Sequence, residues 1–73
     1  MRPEIARIVM YDDDRGFGFV RPYWGKGRFY FHVTDVEDDV PLRLNQTVVI
    51  DVVEIDGKFK VGSMWKPTAK EVQ

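Results

Sequence analysis

Seventy-three residues, 44% of them hydrophobic, allow one small domain and little more. The absence of cysteine excludes disulfide support and thiol chemistry, and no apolar run approaches the ~20 residues of a membrane-spanning helix. A formal net charge of -1 and a pI near 5.7 exclude a polycation that grips nucleic acid by bulk charge.

The opening residues carry no signal-peptide h-region, so a cytoplasmic domain without a membrane partner is expected. The aromatic content of 14% is high for so small a chain, which places some rings at the surface. One domain is expected over 1–73, with a core at about 4–66 and a tail over 67–73.

Five short runs read as strands between turn signals. The first, Ile5 to Tyr11, is rich in β-branched residues and stops at Asp12-Asp13-Asp14, which reads as a solvated turn. Gly16 to Arg21 forms the second, closed by Pro22. Arg28 to Val33 is the third, after the glycine-flanked loop Tyr23-Trp24-Gly25-Lys26-Gly27. A longer acidic connection over Thr34 to Gln46 has room for one short helical or 3-10 turn, with Thr34 as its cap. Thr47 to Ile55 and Lys58 to Met64 are the fourth and fifth strands, and Asp56-Gly57 between them signals a type I′ hairpin. Five strands in this length predict an all-β fold that closes, or nearly closes, into an antiparallel barrel and so limits exposed edges.

Strand alternation assigns the faces. In Arg15-Gly16-Phe17-Gly18-Phe19-Val20, the two phenylalanines share one side, while the glycines and Val20 share the other. In Phe29-Tyr30-Phe31-His32-Val33, the apolar set Phe29, Phe31 and Val33 faces the core, and Tyr30 and His32 face away. Antiparallel pairing of these strands would join Phe17, Phe19, Tyr30 and His32 in one platform, with Arg15 and Arg28 at its edges. Rings inside the barrel are the alternative for one such strand. Two strands with the same split favour an outward platform, because soluble monomers rarely expose large apolar patches without function.

These two segments resemble the paired ribonucleoprotein motifs of cold-shock domains. Arg15-Gly16-Phe17-Gly18-Phe19-Val20 is similar to the first, Lys-Gly-Phe-Gly-Phe-Ile. Tyr30-Phe31-His32-Val33-Thr34 is similar to the second, Phe-Val-His-Phe-Ser. The likeness is clear from Tyr11 to Thr34 and thin afterwards. It implies a five-stranded OB-type β-barrel that binds single-stranded RNA or DNA, as an RNA chaperone or regulator, with no cofactor. It also implies base stacking on Phe17, Phe19, Tyr30 and His32, and it aligns Arg15 with the motif lysine. The family's strand-one lysine-tryptophan pair is replaced by Val9 and Met10, the phenylalanine after the motif histidine by Val33, and the acid before the second motif by Arg28. The loop after strand three is shorter and more acidic than the family's.

The loop before strand three could offset these losses. Trp24 is either a secondary stacking residue or a plug over the barrel mouth, and Lys26 and Arg28 are phosphate candidates. Arg7 joins them if strand one lies beside the platform. Trp65 reads as core or rim packing rather than a ligand contact, and Val49 and Val53 as the outward side of strand four if Val48, Ile50 and Val52 point in. His32 has neither a cysteine nor a second histidine for a zinc site and no nucleophilic serine beside it, so neither a metal nor catalysis is expected. A protein-interaction module on the same barrel is the rival reading, supported by the acidic loops and the net charge.

Overall fold

The computed structural model describes residues 3–67, and the expected tail beyond Pro67 lies outside them. Five strands form one antiparallel sheet: β1 (Glu4–Asp12), β2 (Phe17–Pro22), β3 (Phe29–His32), β4 (Thr47–Ile55) and β5 (Lys58–Trp65). A 3-10 turn over Val33–Asp35 follows β3. The sheet order is β3-β2-β1-β4-β5. The two edge strands, β3 and β5, come together across the barrel, and among the described residues no ladder closes the seam. Part of the β5 edge is covered instead by residues after the 3-10 turn. Val36 bridges Met64 in parallel, and the Glu37 N–H donates to the Met64 carbonyl at 2.8 Å. Lys60 of β5 pins the same segment through a 3.0 Å ion pair with Asp35.

The interior follows the alternation. Ala6 and Ile8 of β1, Val20 of β2, Phe31 of β3, Val48 and Ile50 of β4, and Val61 and Met64 of β5 have no exposed surface. Two bulges interrupt the alternation. In β1, Ile8 pairs with Val20 but Met10 pairs with Phe19, so Val9 is the extra residue. An inserted residue shifts the side-chain phase by one. Tyr11 therefore points inward, stacked on Phe31 at 6.2 Å and 11°, and Met10 shares the face of Phe19. In β5, Asp51 pairs with Ser63 and Val52 with Val61, which leaves Gly62 as the bulged residue.

The β4–β5 hairpin turns as expected, with φ of 53° at Asp56 and 78° at Gly57, the left-handed pair a type I′ turn requires. Two expectations are corrected. Val49 is not outward-exposed but buried at 1% exposure, because its cross-strand neighbours Ile5 and Trp65 lie on the same face and cover it. The 3-10 turn is capped by His32, not Thr34: the His32 side chain accepts the Thr34 N–H. Val33 accordingly leaves the strand and enters the turn.

Candidate nucleic-acid interface

The β2–β3 ladder pairs Phe17 with His32 and Phe19 with Tyr30. Directly paired residues present their side chains on the same face, so the four expected platform residues are brought together. Their rings touch. Phe17 and Tyr30 stack at 5.8 Å and 25°, while Phe19 stands edge-on to both, 6.4 Å from Phe17 and 6.1 Å from Tyr30. This mix of offset and T-shaped contacts suits the ring quadrupoles. It fixes the platform before any ligand arrives. Tyr30 is exposed, and Phe17, Phe19 and His32 are half-buried, so each keeps part of its surface open to solvent.

The opposite face of β2 explains why the rings point outward. Gly18 lies against Phe31, and a β-carbon there would stand 2.7 Å from that ring. There is no space inside for a side chain, and the strand packs with its bare backbone against the core.

His32 is held by its own neighbourhood. Its Nδ1 accepts the Thr34 N–H at 3.2 Å and lies 2.9 Å from the Thr34 hydroxyl. Nδ1 is thus occupied by Thr34, and Nε2 is the ring nitrogen that these contacts leave unused.

Cations border the platform. The Arg28 guanidinium lies 4.8 Å from the Phe19 ring centroid, a cation–π contact that adds a further planar surface. Arg7 lies on the outward side of β1, its guanidinium 5.9 Å from the Tyr23 ring. Arg15 sits in the β1–β2 turn, 3.9 Å from the Asp12 carboxylate. Lys26 is exposed in the loop before β3. Trp24, in that loop, is 70% exposed and is not a plug over the barrel. Met10 occupies the outward position opposite Phe19.

Two features escape the sequence reading. Arg21 faces outward two residues beyond Phe19, and alternation alone places it there; its position at the end of the strand hides it. An apolar groove between Tyr30 and the β4–β5 hairpin, lined by Ile55 and Phe59, depends on how the barrel curls, and no local pattern announces it.

No protein-family model matches the chain, and no curated protein matches it. Among solved structures, the chain is similar to Drosophila Unr CSD456, with 23% identity and a TM-score of 0.78. The match covers 99% of this chain and 29% of that one, so the chain spans less than a third of its length. The strand order, the curled sheet and this similarity agree: in fold, the chain is a cold-shock-like domain, an all-β OB-type barrel.

Proposed function

We propose that this domain binds single-stranded RNA or DNA by stacking bases on Phe17, Phe19, Tyr30 and His32, without catalysis. The observation that carries the reading is the platform itself: three touching aromatic rings and a tethered imidazole on one open face of β2 and β3. Bases inside a duplex already stack on each other, so a ring platform selects strands whose bases are unpaired. Each stacked base contributes ~1–3 kcal/mol, largely independent of its identity. Such a surface holds strands open, which is the physical basis of RNA chaperone activity. Arg7, Lys26, Arg28 and Arg15 supply phosphate contacts, and Trp24 is a further stacking group within reach of the strand. The guanidinium on Phe19 favours nucleic acid over a protein partner, because it sets positive charge against the stacking surface.

The test is a titration with RNA and DNA oligonucleotides of one sequence, followed by tryptophan fluorescence over a range of salt. Binding that weakens with salt is expected. No binding at low salt up to high micromolar concentration overturns the proposal. Replacing both Phe17 and Tyr30 by alanine should cost ~2–6 kcal/mol of binding if each ring stacks one base. Unchanged affinity in a folded double variant would show that the platform is not the site.

A further inference from the structure

We propose that Arg7, Arg21 and Tyr23 form a phosphate pocket beside the stacking platform, which takes the backbone phosphate of the nucleotide next to the base on Phe19. This inference rests on the reading of the platform as a base-stacking surface.

Arg7 and Arg21 are direct partners in the β1–β2 ladder, so their side chains leave the same face side by side. Like charges placed directly opposite destabilise a sheet. Among the described residues no carboxylate pairs with either. The described residues form three ion pairs, Arg15–Asp12, Lys60–Asp35 and Lys66–Asp39, and neither arginine takes part in any of them. On the other side of Arg7 the ladder places Thr47, which is uncharged. Continuing the β2–β3 register by one position beyond Val20–Phe29 sets Arg28 opposite Arg21. Three arginines thus cross the sheet in one row at the end of the aromatic platform.

The pocket is built as well as charged. Tyr23 is held at both ends: its N–H donates to the Ile5 carbonyl at 3.1 Å, and its hydroxyl shares a 2.9 Å hydrogen bond with the Thr47 hydroxyl. Its ring lies beside the Arg7 guanidinium, 5.9 Å away, and so limits where that group can go. With Pro22 and Gly25 these residues enclose an open concavity of about 440 Å³.

Two guanidinium forks with no acidic partner among the described residues suit a tetrahedral anion, which each fork can meet through paired N–H donors. Position identifies the anion. Arg21 follows Phe19 by two residues on the same face, a rise of ~7 Å. That step is close to the 6.4 Å between the Phe17 and Phe19 rings. A strand with one base on Phe19 therefore carries its next phosphate toward Arg21 and Arg7. Binding would then relieve a repulsion that the free protein tolerates.

The experiment compares wild type with Arg7→Gln, Arg21→Gln and Arg21→Glu, using oligothymidylates of about four and about eight nucleotides, within the range of OB-domain sites. Each glutamine variant should still bind, with the slope of log K against log salt shallower by ~0.7, the value for one lost phosphate contact on a single strand. Arg21→Glu should weaken binding further and raise the Tm of the free protein by relieving the like-charge pair, an effect that mere loss of structure cannot produce. Wild-type slopes in both glutamine variants, with binding retained, would overturn the pocket and leave the platform standing. An unchanged or lower Tm in Arg21→Glu would equally refute the repulsion on which the pocket is argued. Absence of binding by wild type to either oligonucleotide removes the platform, and the pocket with it.

Discussion

Gly18 lies between Phe17 and Phe19 with its α-carbon toward the barrel interior. A methyl group added there would run into the Met10 carbonyl oxygen and stand 2.7 Å from two carbons of the Phe31 ring. Neither obstacle can yield cheaply. The carbonyl belongs to the β1 backbone, and Phe31 has no exposed surface into which to move. Overpacking of this kind costs ~1–3 kcal/mol. Alanine regains about 0.4–1 kcal/mol because it restricts the unfolded chain and Gly18 does not need a positive φ. Gly18→Ala should therefore destabilise the domain by about 1–2 kcal/mol net. At this size each kcal/mol moves Tm by ~4–8 °C, so the expected fall is about 4–16 °C. Gly25→Ala is the matched control. A β-carbon there meets nothing within 4 Å, and the residue has no positive φ, so its substitution should be neutral or slightly stabilising. Urea and thermal unfolding of the two variants check the difference. If Gly18→Ala falls within about 0.5 kcal/mol of Gly25→Ala, the close approach of β2 to Phe31 is not what turns the phenylalanines outward.

His32 combines two roles that substitution can separate. Asparagine can keep the acceptor that caps the 3-10 turn but cannot offer a ring, so His32→Asn should hold stability within about 0.5 kcal/mol while oligonucleotide affinity falls by ~1–3 kcal/mol. His32→Ala should lose both, and wild-type affinity in His32→Asn would remove His32 from the stacking set. Tyr11 gives the fold an alkaline limit. Desolvation, then the charge of Asp13 and its 3.4 Å hydrogen bond from the phenol, then the charge of Asp12, raise its pKa above the ordinary 10.0. The folded state thus holds this proton more tightly than the unfolded chain. Its stabilisation is fully present below pH 10.0 and is lost as pH rises through the folded value. Denaturation midpoints measured across that window should fall more steeply in wild type than in Tyr11→Phe, and parallel curves would contradict the assignment.

Much of the fold could be read locally because its elements obey one rule at a time. The period-two alternation of β2 and β3 named the platform, and the hairpin turn followed from Asp56-Gly57 and its need for two positive φ angles. What was not legible depended on a residue's partners across the sheet. Val49 alternates outward like any exposed valine, and only the ladder reveals Ile5 and Trp65 covering it. The bulge at Val9 is likewise invisible in the β-branched run of β1, yet it decides that Tyr11 enters the core and Met10 joins the platform. Thr34 carries the usual cap chemistry, but the histidine before it already occupies the position from which the turn's N–H is reached. Arg21 was overlooked for a different reason. Its face follows from alternation, whereas its meaning comes from Arg7 across the ladder, a pairing that the order of residues does not display.

The net charge of -1 weighs against nucleic-acid binding only if charge acts as a sum. At physiological salt an exposed charge is felt over ~8 Å, so placement governs. Seven of the twelve acids are collected in two places, the Asp12–Asp14 turn and the connection from Asp35 to Asp39. Asp12 lies opposite Phe17 at one end of β2, and Arg7 lies opposite Arg21 at the other. Four residues of strand separate those rungs by ~13 Å, more than a screening length. The turn therefore does little to cancel the arginine row. Charge thus grades along β2, from the Asp12–Arg15 pair beside Phe17, where acid and base offset each other, to the Arg7–Arg21 pair beyond Phe19. On the proposed reading, a strand stacked on these rings would be drawn toward the Arg7–Arg21 end, so local placement and not the summed charge would give the site a direction.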